Sequence, residues 1–147
     1  PSCFVEADPE SLLNERRHDG STSMHYCTHH LDRIPLEAML ILVEKWPEGL
    51  KVTNEIGNLP LHTACMERAP FPVIQYLVEQ HPQGVKEVDR YGNSPLYLYV
   101  SFWFGVEASV DIVRYLVEQY PEAVQVKNKS GKVPLHGACR GASLDVI

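Results

Sequence analysis

The sequence predicts an all-α fold, a solenoid of stacked helix–loop–helix units with projecting turns. Three observations point to it. The turn glycines Gly20, Gly57, Gly92 and Gly131 recur at spacings of 37, 35 and 39 residues, and self-similarity at roughly 20–50 residues marks a solenoid. Pro60, Pro95 and Pro134 each follow one of these glycines by three residues. A helix accepts proline in its first turn, because the missing N–H has no intrahelical partner there. Val73, Ile74, Leu77 and Val78 lie at i, i+1, i+4 and i+5, which makes one apolar stripe along a second helix.

Taken in order, Phe4-Val5-Glu6-Ala7-Asp8-Pro9 reads as the tail of a second helix. It matches Leu42-Val43-Glu44-Lys45-Trp46-Pro47, Leu77-Val78-Glu79-Gln80-His81-Pro82 and Leu116-Val117-Glu118-Gln119-Tyr120-Pro121. The base unit is 35 residues, with two extra in the first full unit and four in the third. The chain divides into a partial unit at 1–18, units at about 19–53, 54–88 and 89–127, and a partial unit at 128–147. Ser143-Leu144-Asp145-Val146-Ile147 matches Ser109-Val110-Asp111-Ile112-Val113, the start of a second helix. Solenoids finish in polar capping units, so the chain reads as a window from a longer array.

Within each unit, Asn54, Asp89 and Asn128 precede the glycine by three residues. That is turn chemistry: the Asx side chain bonds its own backbone and glycine supplies positive φ. Thr22 and Ser94 stand where a helix is capped and are able to cap, whereas Leu59 and Val133 are not. The second helix is clearest at 73–78 and 112–117, and Pro82 or Pro121 stops it. Alternating valines in Gly84-Val85-Lys86-Glu87-Val88 and Ala123-Val124-Gln125-Val126 then predict a short extended arm.

Asn54, Gly57, Pro60, Leu61, His62 and Ala64 recur as Asn128, Gly131, Pro134, Leu135, His136 and Ala138. Asp89, Gly92, Ser94, Pro95 and Leu96 form a weaker copy. This pattern resembles the ankyrin repeat, with its Asp-x-x-Gly-x-Thr-Pro-Leu-His-x-Ala-Ala frame of about 33 residues. The resemblance covers essentially the whole chain. It departs after the second helix, where Trp46, His81 or Tyr120 precedes proline in place of the usual glycine and the arm is longer. The chain is therefore similar to a divergent long-arm subtype, as in plant-like and algal ankyrin proteins. The resemblance implies a non-catalytic protein-binding scaffold that works through turn tips and the concave first-helix face. It also implies that His25, His62 and His136 tie neighbouring turns together.

Composition sets outer bounds. An apolar content of 44% and a charged content of 22% over 147 residues describe a chain able to fold. The formal charge of −6 argues against nucleic acid. No apolar run approaches the ~18–20 residues of a membrane span. The expected partner is a protein, bound by a monomer without cofactor. Cys3, Cys27, Cys65 and Cys139 form no Cys-x-x-Cys pair. They read as buried free thiols, which places the chain in the cytoplasm or nucleus.

His25-Tyr26-Cys27-Thr28-His29-His30 has the residue types of a metal site, with His25, Cys27 and His29 as its ligands. But His25 aligns with the recurring motif histidine, and His29 and His30 align with Met66 and Glu67 at the exposed end of a first helix. Metal binding is kept as an alternative. The His62/Cys65 and His136/Cys139 pairs suggest a thiol nucleophile, yet their duplication at a packing position argues for structure. Neither a glycine-rich phosphate loop nor a nucleophile elbow is present. In the third unit Tyr97, Leu98 and Tyr99 replace His-x-Ala. Tyr99 is too large for the contact that Ala64 and Ala138 make, so local packing is expected to differ. The adjoining Phe102-Trp103-Phe104 either refills that core or projects as an aromatic hot spot. The candidate partner-binding residues are Glu55, Ile56, Arg90, Tyr91 and Lys129 at the turn tips. His29, His30, Met66, Glu67, Phe102, Trp103 and Arg140 join them along the first-helix face. Another reading makes the chain a regulatory or spacer segment of a larger enzyme or channel.

Overall fold

The computed structural model describes residues 16–101 and 108–141. The expected helix tail at 4–9, the aromatic run at 102–104 and the helix start at 143–147 lie outside the described residues. The described residues are all-helical, without a strand. In order they are α1 (Ser23–His29), α2 (Leu36–Lys45), α3 (Pro60–Met66), α4 (Phe71–Gln80), α5 (Pro95–Ser101), α6 (Val110–Gln119) and α7 (Pro134–Gly141). A 3-10 turn follows each even-numbered helix, at Pro47–Lys51, Pro82–Lys86 and Pro121–Gln125. Helices α1, α3 and α5 have seven residues each, and α2, α4 and α6 have ten.

The short helices pack in chain order, α1 on α3, α3 on α5 and α5 on α7. Each packs also on the long helix after it, α1 on α2, α3 on α4 and α5 on α6, and α4 packs on α6. The core lies between the two rows. Met24, Leu61 and Leu96 enter it from the short helices, and Met39, Val43, Ile74, Leu77 and Leu116 from the long ones. Ile74 and Leu77 are fully buried, and each such side chain contributes about 1.5–3 kcal/mol.

The turns form as the Asx-x-x-Gly spacing predicts. Asn54 Oδ1 accepts the N–H groups of Ile56 (3.1 Å) and Asn58 (3.0 Å). Asp89 Oδ1 accepts those of Tyr91 and Asn93, both at 2.9 Å. Asn128 Oδ1 accepts those of Ser130 and Lys132, both at 3.0 Å. The four turn glycines have φ between 75° and 81°. Each turn is then joined to the next by a backbone bond. Glu55 N–H donates to the Asp19 carbonyl (3.1 Å), Arg90 to Ile56 (2.9 Å) and Lys129 to Tyr91 (2.9 Å).

Helix capping divides between two residues. Where the cap position is Leu59 or Val133, the histidine three residues on reaches back. His62 Nδ1 accepts the Leu59 N–H at 2.9 Å, and His136 Nδ1 accepts the Val133 N–H at 3.1 Å. This is the second half of a capping box, with imidazole in place of Glu or Gln. Where tyrosine has replaced the histidine, Ser94 Oγ caps by accepting the Tyr97 N–H at 3.2 Å.

Two expectations are corrected. The valine-bearing arms begin as 3-10 turns rather than extended chain. Pro82 fixes the φ that opens the turn, and the Gly84 N–H closes it on the His81 carbonyl at 3.0 Å. Extended backbone begins only at Glu87. Cys139, equivalent to the buried Cys65, is exposed. Among the described residues no further short helix packs beyond α7, so Leu135 on the same helix is also open (70% exposed) where Leu61 and Leu96 are covered. Tyr99 meets its expectation. It is buried, its hydroxyl accepts the Ser109 N–H at 3.1 Å, and the Arg68 guanidinium lies 4.9 Å from its ring centroid.

Candidate functional site

A cleft of about 280 Å³ opens between α1, α3 and the turns that precede them. Its walls come from helical spacing. Tyr26, His29 and His30 stand at i, i+3 and i+4 along α1 and its C-cap, so they share one face. Thr63, Met66 and Glu67 do the same on α3. Arg17, Asp19, Ile56 and Asn58 reach the cleft from the turns. Five sequence-predicted residues therefore meet in one place: His29, His30, Ile56, Met66 and Glu67.

Polar contacts order the cleft. His29 Nδ1 lies 3.0 Å from Glu67 Oε1, which bridges α1 to α3. His29 and Glu67 are 52% and 25% exposed, so this pair is worth at most ~1 kcal/mol. The His30 ring packs against Tyr26 (centroids 4.3 Å apart) and edge-on against His29 (4.6 Å). The Arg17 guanidinium sits 5.7 Å above Tyr26. Asn58 is 2% exposed, and its Nδ2 donates to the Met66 sulfur at 3.5 Å. Its Oδ1 is buried and has no hydrogen-bond partner among the described residues. The equivalent Asn93 Oδ1 accepts from Asn128 Nδ2 at 3.0 Å. Asp89 holds Asn128's place one unit earlier, and a carboxylate there has no N–H to give.

His25 and His62 form the wall between units rather than a reactive site. His25 Nδ1 accepts the Thr22 N–H (3.2 Å) and its Nε2 donates to the Asn58 carbonyl (2.7 Å). His62 Nε2 donates to the Glu87 carbonyl at 3.1 Å. Both rings are thus used as neutral tautomers with Nε2 protonated. Burial lowers the His25 pKa against the pull of its bond to Asn58. Burial takes His62 further, down to about 4, against its bond to Glu87 and the nearby Asp89 carboxylate. The ring nitrogens of His25 have no lone pair left for a metal, and His25, Cys27 and His29 are not gathered into a ligand set. Among the described residues no three metal-capable side chains converge. Burial raises the Cys27 and Cys65 thiols, and Cys65 is fully enclosed.

The other candidates lie elsewhere. Glu55, Arg90 and Lys129 are exposed on successive turns, where their backbone N–H groups make the inter-turn bonds. Tyr91 is 54% exposed on the same row. Arg140 lies on α7. Phe102 and Trp103 are outside the described residues. Sequence reasoning missed Tyr26, Thr63 and the buried amide of Asn58. The i, i+3, i+4 spacing of Tyr26 with His29 and His30 was the available signal for the first. Among the described residues no helix is long and apolar enough to cross a membrane. Compared with models of known protein families and with curated proteins, the chain matches none.

Proposed function

We propose that the chain is a stack of ankyrin-like units serving as a non-catalytic scaffold that binds a protein partner through its turn tips and the first-helix face. The observation that carries this reading is a separation of roles at the turns. Neighbouring turns are held by backbone bonds, Glu55 to Asp19, Arg90 to Ile56 and Lys129 to Tyr91. The side chains of Glu55, Arg90 and Lys129 are exposed and take no part in these bonds, which leaves them open to selection for a partner. The α1–α3 cleft continues the same row with a mixed apolar and charged lining, the character of a binding surface. Free thiols at Cys27 and Cys65 suit a reducing compartment, the cytoplasm or nucleus. The test is affinity capture with the chain beside a Tyr91→Ala/Met66→Ala double variant, with circular dichroism to establish that both are folded. Partners retained by the chain and lost by the variant are expected. Identical captured sets remove the proposed face.

A further inference from the structure

Charge is unevenly spread along the row of turns. Between Glu122 and Asp145 the chain has no carboxylate, and Lys127, Lys129 and Lys132 fall there around the fourth turn glycine, Gly131. The Asn128 N–H donates to the Lys132 carbonyl at 2.9 Å and closes that turn, so the three lysines are held within it. The Lys129 N–H donates to the Tyr91 carbonyl at 2.9 Å, which sets the turn beside Arg90 and Tyr91. Arg90, Lys127 and Lys129 are exposed and Lys132 is half-buried. None of the four pairs with a carboxylate among the described residues. Asp89, the carboxylate nearest in sequence, is 5% exposed, and its Oδ1 is taken by the Tyr91 and Asn93 N–H groups. Glu87 stands on the arm before it, next to the exposed Lys86. The fourth turn has Asn128 in the place of Asp89 and lacks even that charge.

Protein surfaces ordinarily intersperse both signs, since like charges held together repel. The contrast with the rest of the chain is large. The whole carries −6, so without these four cations it carries −10. We propose that the edge formed by Arg90, Lys127, Lys129 and Lys132 docks a short acidic segment of a protein partner. Carboxylates of the segment answer the four cations, and Tyr91, 54% exposed between Arg90 and Lys129 on the row, gives it an apolar face to lie on. A long polyanion fits less well, because along the same row it meets the exposed carboxylates of Asp19 and Glu55. The inference rests on the scaffold reading above and specifies what the scaffold reads.

The test is selection of a random linear peptide library on the whole chain. Peptides rich in Asp and Glu are expected to be enriched, and their binding to weaken as salt rises from 0.05 to 0.5 M, because the cations are exposed to screening. Arg90→Glu/Lys129→Glu is expected to weaken binding of an enriched peptide about tenfold or more. Lys45→Glu/Arg114→Glu changes the net charge equally on the long helices and is expected to bind as the parent does. Circular dichroism establishes that both variants are folded. An equal loss in the two variants overturns the local edge in favour of overall charge. Oligouridylate that binds the chain as tightly as the peptide, and is lost in Arg90→Glu/Lys129→Glu, overturns the choice of a polypeptide. Enriched peptides without acidic residues overturn this inference and leave the scaffold reading standing. No enrichment at all overturns both.

Discussion

The junction behind Gly57 and the junction behind Gly92 have the same backbone and differ in how one side chain is answered. In both, the next turn donates an N–H to the residue before the glycine, at 2.9 Å. Behind Gly92 the side chains also close, through Asn128 Nδ2 on Asn93 Oδ1. Behind Gly57 they do not, since Asp89 has no donor and Asn58 Oδ1 stays unmet. The backbone therefore carries the stacking, and the side-chain layer above it is free to hold either a closed contact or an open acceptor. Each substitution below acts on one of these two layers.

The backbone layer breaks hardest. An alanine Cβ at Gly92 would stand 2.9 Å from the Lys129 nitrogen and 3.1 Å from Asn128 Cα, at φ +77°. Positive φ costs a non-glycine residue about 1–2 kcal/mol and forced overpacking adds about 1–3, so Gly92→Ala is expected to lose on the order of 4 kcal/mol in urea denaturation. Gly131 has nearly the same φ, +75°, but among the described residues no atom lies within 4 Å of the equivalent Cβ. Gly131→Ala is expected to lose only the φ cost, about 1–2 kcal/mol. Equal losses at the two sites would mean that close approach plays no part in stacking.

Acid acts next, through the buried histidines His62 and His25. The folded pKa of His62 is about 4, below its ordinary 6.5, because burial disfavours the charged ring. The unfolded chain therefore takes up the proton first. The stability is fully present above pH ~6.5 and is lost as pH falls toward ~4, by about 3 kcal/mol for this residue. His25 shifts in the same direction and adds to the loss. Tyr97 stands at this place in the next unit. Urea denaturation across this window is expected to follow that slope, and His62→Phe to flatten it even if it lowers stability throughout. A slope unchanged in His62→Phe would assign the acid loss to other groups.

The side-chain layer gives smaller effects. Asn128→Asp keeps the Oδ1 that organises its own turn but removes the Nδ2 that answers Asn93. It converts the closed junction into a copy of the open one. A buried acceptor left unmet costs about 1–3 kcal/mol, and a loss at the lower end is expected because Asn93 is partly exposed.

How much of this was legible in the chain depends on how few residue types a position tolerates. The Asx, glycine, proline and histidine of the recurring motif could be read because positive φ, a helix N1 site and an Nδ1 cap admit few alternatives. The 3-10 turns could not be read from alternating valines, since a five-residue stretch carries too little periodicity to tell a tight turn from extended chain. Proline ahead of the turn was the better guide. Arg68 was illegible for a related reason. It ends α3 in the left-handed region at φ 54°, a place glycine normally marks. The Ala69 N–H reaches back to the Ala64 carbonyl at 2.9 Å, and the Arg68 side chain lies over Tyr99. Aligning the copies brought His29, His30, Met66 and Glu67 together, because equivalent positions on adjacent short helices are neighbours. Asn58 gave no sign in the sequence that its amide is buried, since its burial depends on the packing around it.

The smallest effect is the most informative, because it runs against the usual direction of mutation. Asp89→Asn leaves Oδ1 in place to accept the Tyr91 and Asn93 N–H groups and adds an Nδ2 for Asn58 Oδ1. It also weakens one contact, since Asn93 Nδ2 now donates to Asp89 Oδ2 at 3.4 Å, a long bond whose loss costs little. The exchange trades that bond for a closed junction and relieves a carboxylate of burial, for Asp89 is 5% exposed. A net gain of about 1 kcal/mol is expected in urea denaturation. Combined with Asn128→Asp it is expected to depart from additivity, since both substitutions act on the Asn93 amide. A loss in Asp89→Asn would mean that the carboxylate itself holds the turn through the Tyr91 and Asn93 N–H groups.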